Sequence, residues 1–132
     1  MTVEETIVAT LAADPDLVQI VGARVYAVHI PEHEYPLPWV MYRLDESEPV
    51  TEIDGTIRLV RHSMQFDVLA TEYNQARTLE AHLVRILHDK PGKPRPALPV
   101  HVVQWTRSAK TPRDEGFQVE VTFELTADHV AA

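Results

Sequence analysis

One stretch, Arg58 to Leu87, restricts the fold more than any other because its hydrophobic period changes once, abruptly. Up to Ala70 it alternates. Val60, Met64, Phe66 and Val68 point one way, and Arg61, Ser63, Gln65 and Asp67 the other. Period two with one apolar face predicts a strand packed on one side. Beyond Ala70–Thr71 the apolar residues Tyr73, Ala76, Leu79, Leu83, Ile86 and Leu87 recur at helical spacing, with Thr71 placed to cap the helix. A strand turning tightly into an amphipathic helix predicts a sheet with that helix laid on its apolar face.

The flanking segments extend this plan. Thr2 and Glu5 have capping-box spacing, and Val3, Ile7, Val8, Leu11 and Ala12 form a helical stripe. Asp14 and Pro15 suit the start of a short second helix carrying Leu17, Ile20 and Val21, which Gly22 would end. A first strand is expected over Arg24 to Ile30. The three prolines of PEHEYPLP then force an extended connection. Pro38 to Leu44 predicts a second strand, apolar on both faces and so more central, with Trp39 and Met41 on one side and Val40, Tyr42 and Leu44 on the other. The polar run Asp45 to Gly55 predicts a long hairpin arm leading into the third strand, with Asp54–Gly55 as a turn signal.

After the helix, Lys90 to Pro99, with four prolines, predicts a semi-rigid loop. The last two strands are expected over Val100 to Thr106 and Gly116 to Thr126, flanking a turn-rich SAKTPRDEG. In the final strand Phe117, Val119, Val121, Phe123 and Leu125 alternate with polar residues. The predicted fold is α+β, a predominantly antiparallel sheet of about five strands with helices packed on one face, in the order α-(short α)-β-β-β-α-β-β. At 132 residues the chain, 1–132, reads as a single domain.

Residue chemistry excludes more than it assigns. Without cysteine there is no disulfide framework, thiolate nucleophile or Cys-ligated zinc. The seven histidines do not make a metal site: Pro31 lies between His29 and His33, and His82 and His88 do not share a helix face. His62 falls on the apolar side of its strand, where a partly buried, satisfied histidine is expected. Ser47, Ser63 and Ser108 lack a nucleophile-elbow setting, and no glycine-rich phosphate loop is present. Neither enzyme chemistry nor a cofactor is predicted. A net charge of −8 argues against direct grip on nucleic acid, and no apolar run is long enough to span a bilayer. A soluble protein made in the cytoplasm is expected.

Charge is distributed unevenly. From Pro31 to Asp54 seven acidic residues, including Asp45, Glu46, Glu48, Glu52 and Asp54, face one basic residue, Arg43. From Arg85 to Arg113 seven basic residues, including Lys93, Arg95, Lys110 and Arg113, face one acidic residue, Asp89. Two readings fit: solvated loops, or complementary edges of identical subunits meeting head to tail. On the second, Asp45, Glu46, Glu48, Glu52, Asp54, Lys93, Arg95, Lys110 and Arg113 are the candidate interface residues. Deleting the Asp45–Asp54 arm should then abolish assembly and leave a folded monomer.

Three stretches carry a family resemblance: LVQIVGARVYAVHIPEHEYPLPWVMYRL, RHSMQFDVLATEYNQARTLEAHLVRIL, and the closing alternating strand. Together they resemble the tail-terminator or tail-completion proteins of long-tailed bacteriophages. The matching positions are Gly22, Arg24, Val25 and Tyr26; Leu37, Pro38, Val40 and Tyr42; and Gln65, Asp67, Val68, Ala70, Tyr73, Ala76 and Leu79. The Lys90–Pro99 loop departs from the family pattern in being more proline-rich and basic. The resemblance implies a structural role without cofactor or metal: a homo-oligomeric ring, usually a hexamer, at the head-proximal end of a virion tail. Implied partners are the tail tube protein and the head connector or adaptor. DNA would pass through the ring without being specifically bound, and no membrane is involved. Related proteins serve in gene transfer agents. The alternative reading is a small α+β domain that binds a ligand or protein without catalysis.

Overall fold

The computed structural model describes residues 2–27, 36–88, 100–113 and 116–129. Elements run α1 (Val3–Ala12), α2 (Pro15–Val21), β1 (Val25–Ala27), β2 (Trp39–Thr51), β3 (Ile57–Ala70), α3 (Tyr73–Leu87), β4 (Val100–Arg113) and β5 (Gly116–Asp128). The strands form one sheet in the order β1-β2-β3-β5-β4, antiparallel except for β1 beside β2. The predicted class and element order are those observed. Residues 28–35 and 89–99, which hold most of both proline-rich connections, lie outside the described residues.

The helices share one sheet face. Val40 of β2, Met64, Phe66 and Val68 of β3, and Val119, Val121, Phe123 and Leu125 of β5 pack beneath Ile7, Leu11, Leu17, Val21, Ala76, Leu79, Leu83 and Leu87. Phe66 and Phe123 meet edge to face at 5.7 Å in the middle of this layer, a favoured arrangement of ring quadrupoles. The period-two and period-3.6 stripes therefore meet each other, as their apolar content requires. The helical stripes are shifted in detail. In α1 Thr6 is buried with Ile7 and Leu11, while Ala12 is exposed. Tyr73 at the head of α3 is 44% exposed and stacks edge-on against Phe117 instead of entering the core.

The caps follow their chemistry at two helices of three. Thr2 Oγ1 accepts from Glu5 N, and Asp14 Oδ1 accepts from Leu17 N with Pro15 at the first helical position. Gly22 closes α2 at φ 58°, a left-handed geometry that costs other residues a Cβ clash. At α3 the expected cap at Thr71 does not form. The helix starts one residue later, with Glu72 at the N-cap and no side-chain hydrogen bond. Packing of Ala76 and Leu79 places this helix, and the cap is dispensable.

The segment expected as a hairpin arm and the one expected as turn-rich are both largely continuous strand. β2 continues through Asp45–Thr51, pairing Glu46 with Ser63, Glu48 with Arg61 and Val50 with Leu59. β4 continues through Ser108–Arg113, pairing Lys110 with Val119 and Thr111 with Gln118. Ladder hydrogen bonds use the backbone alone, so a polar sequence beside an established partner strand can extend it. The β4–β5 connection is correspondingly short. Gly116 sits there at φ 154°, and a Cβ on it would come within 2.2 Å of the Ala70 carbonyl oxygen.

Candidate subunit interface

The distal part of the β2–β3 hairpin leaves the core at a bulge. The register shifts between Leu44 and Glu46, and the extra residue, Asp45, turns back to accept a 2.7 Å hydrogen bond from Arg43 Nε. Before the bulge β2 is buried or half-buried; after it, every residue but Val50 is exposed. On its other side β3 is flanked by β5 as far as the Leu59–Asp128 pair. Only the Thr51–Ile57 tip therefore projects past the sheet, a shorter arm than Asp45–Gly55. Because residues 45–51 pair with β3, deleting the whole arm would remove half of a strand.

The tip is ordered by its own hydrogen bonds. Glu52 N donates to Thr56 O, Gly55 N to Glu52 O, and Thr56 N to Asp54 Oδ1. This last bond holds the Asp54 carboxyl below the usual carboxylate range. Ile53, between Glu52 and Asp54, is fully exposed at 109%. A large apolar side chain is thus held in water on an ordered turn.

The candidate acidic residues are partly neutralised by the opposite strand. Arg58 Nε lies 3.4 Å from Glu52 and Arg61 Nη2 3.7 Å from Glu48. Asp45 pairs with Arg43, which also reaches Asp67 at 3.8 Å. Glu46 has no ion pair among the described residues. The segment 45–61 keeps five carboxylates against two arginines, so it remains acidic, though less than the linear sequence implies.

The basic candidates divide. Lys93 and Arg95 lie outside the described residues, and of Arg113 only the backbone, opposite Gly116, is described. Lys110 is on β4, its Nζ 3.9 Å from the buried Glu80, which also takes Arg77 Nε at 3.0 Å. Arg85 makes a two-pronged contact with Asp14 at 2.9 and 3.0 Å, joining α3 to the start of α2. That arginine is the main cause holding the Asp14 carboxyl below its ordinary value, burial opposing it.

Arg77, Glu80, Val84, Trp105 and Lys110 line an open groove of about 570 Å³ between α3 and β4. The register shifts between Trp105 and Arg107; just before the shift, Trp105 pairs with Phe123 on the helix side of the sheet and is still 44% exposed on this edge strand. Its Nε1 donates to Ser108 Oγ at 2.9 Å, and its backbone N donates to His88 Nδ1 at 3.0 Å. Sequence reading missed both Ile53 and Trp105. An isoleucine inside a polar turn was a visible signal for the first. Nothing in the local alternation marked the second, which shares the face of buried Val103 and Phe123 and yet stays exposed on an edge strand.

The structure thus keeps the acidic hairpin and the basic strand apart. Between β2 and β4 lie β3 and β5, so the strands are roughly 14 Å apart at the usual spacing. From Arg43 to Thr51 the outer edge of β2 has no partner strand among the described residues, and neither does the outer edge of β4. Among the described residues no cluster of three metal-ligating side chains exists, and no helix is long and apolar enough to cross a membrane.

The profile of the tail completion protein gp17 family matches residues 5–128. The chain belongs to that family. It is accordingly a structural, non-catalytic protein of phage-like tails. Among solved structures, a chain in the virion of a native gene transfer agent particle superposes with a TM-score of 0.72 at 16% identity, over 96% of this chain and 95% of that one. At that identity the likeness establishes a shared fold. No curated protein matches the chain.

Proposed function

We infer that this tail completion protein closes the end of a tail tube as a homo-oligomeric ring, a hexamer by family analogy. Such a ring would stop tube growth and offer a joining surface to the head connector, at the head-proximal end of a virion assembled in a bacterial host. The reading rests on family membership. The observation that carries it to a ring is the placement of unlike charge on opposite sheet edges: the acidic β2–β3 hairpin on one side, β4 with Lys110 on the other. Unlike edges on one copy favour a head-to-tail contact over a two-fold dimer, and head-to-tail contacts close into rings where the rotation permits.

The helix-free sheet face suits a channel lining. Asp67, Glu120 and Glu124 lie there with Glu46 and Glu48. Carboxylates repel a phosphate backbone within about a Debye length, roughly 8–10 Å, so DNA could pass without adhering.

Light scattering of the pure chain, then electron microscopy with purified tail tubes, tests the reading. A six-fold ring, or density at one tube end, is expected. A monomer that ignores tubes under all salt conditions overturns it. Replacing Thr51–Ile57 by a two-residue Asn-Gly turn should abolish capping yet leave the fold intact, since these residues lie beyond the core.

A further inference from the structure

Two ordered features lie on opposite sides of the molecule without a use inside it. One is a knob, Ile53, fully exposed between Glu52 and Asp54 on a turn fixed by three hydrogen bonds. The other is the α3–β4 groove, floored by Ala81, Val84 and the Trp105 ring, and rimmed by Arg77 and Lys110. Both are set before any partner arrives: the turn by its backbone bonds, the indole by Ser108. Pre-organised aromatic and aliphatic anchors concentrate binding free energy, because little side-chain entropy is lost on docking.

We propose that the Glu52-Ile53-Asp54 tip of one copy docks in the α3–β4 groove of a second copy, Ile53 against Trp105 and the two carboxylates against Arg77 and Lys110. The proposal rests on the ring reading and names the contact that would propagate it. Charge complementarity selects the occupant. The tip carries two carboxylates around one apolar residue. Of the cations in the groove lining, Arg85 is taken by Asp14, while Arg77 and Lys110 share the single lining carboxylate, Glu80, at 3.0 and 3.9 Å, which leaves one positive charge in excess.

Docking within one chain is excluded by distance. Trp105 is level with Phe123, and Phe123 with Met64 of β3. Seven residues separate Met64 from Ile57 along that strand, about 24 Å at strand rise, and Ile53 lies beyond Ile57. The contact is therefore heterologous, using unlike surfaces of two copies.

The absence of cysteine makes a direct test available. Two single-thiol full-length chains, Ile53→Cys and Ala81→Cys, are mixed under mild oxidation, alone and with tail tubes. Both positions are exposed, and cysteine remains a small apolar knob. The mixed disulfide is expected roughly tenfold above either like pair, since docking raises the effective thiol concentration. A second test mixes Ile53→Asp, which keeps the groove, with Trp105→Ala, which keeps the knob. Each alone should lose rings and tube caps, while the mixture recovers a one-to-one heterodimer.

Random disulfide proportions with intact rings or caps overturn the docking and leave the ring reading standing. A cross-link from position 53 to the tube protein, and none to a second copy, also overturns it. Failure of the unmodified chain to self-associate or cap tubes removes both.

Discussion

The two halves of the β2–β3 hairpin share one backbone ladder and differ in almost everything else. In the proximal half, Trp39–Leu44 against Met64–Leu69, side chains on the helix side are in the core, and Trp39 and Leu69 are buried on the other face too. In the distal half, Glu46–Thr51 against Ile57–Ser63, β2 is exposed except at Val50, and β3 is at most half-buried. The Asp45 bulge stands between them. A bulge bends its strand and increases twist, and here it marks the point where the hairpin, still paired in the sheet, leaves the buried layer. Hydrogen-bonded pairing makes a strand, but only burial makes it contribute strongly to stability. The half that stabilises the fold and the half available to partners are separated by one inserted residue.

If that division is right, the largest loss comes from the proximal side. Phe66→Ala removes a fully buried ring and its edge contact with Phe123. It should cost about 3–5 kcal/mol, seen as a large drop in the urea midpoint; a loss under about 1 kcal/mol would mean that the core is not centred there. Next is Gly116→Ala, where the close approach to the Ala70 carbonyl and the positive φ both oppose a Cβ. About 1–3 kcal/mol is expected by thermal denaturation, although glycine carries no apolar side chain of its own.

Distal changes should be smaller. Arg61→Ala breaks an exposed 3.7 Å pair with Glu48, for which about 0.2–1 kcal/mol is expected. A loss comparable to Phe66→Ala would erase the distinction between the halves.

The smallest effect sits at the border. His62, hydrogen-bonded through Nδ1 to Ser47 at 2.7 Å, has its pKa lowered by burial, with Glu4 opposing. A depressed histidine favours the neutral form in the fold. Its contribution is therefore complete above the ordinary value of 6.5 and is lost as pH falls through the lower folded value. Stability measured from pH 7.5 down to 5 should decline modestly, and His62→Gln should flatten that part of the profile. An unchanged slope in the variant would assign the decline to other groups.

The sequence by itself determined the layers. The alternations in β3 and β5 and the 3.6-residue stripes in α1 and α3 each need an apolar partner, and a sheet covered on one face satisfies all of them. Family membership was likewise legible, through ordered positions from Gly22 to Leu79. Tertiary structure alone decided how far strands run into polar sequence, because a ladder extends wherever a partner backbone is held alongside. It decided which charges remain for a partner: the register of the hairpin sets Arg58 beside Glu52 and Arg61 beside Glu48. It also decided that Trp105 stays exposed: it shares a face with buried Val103, but it lies on the edge strand, where an open groove separates β4 from α3.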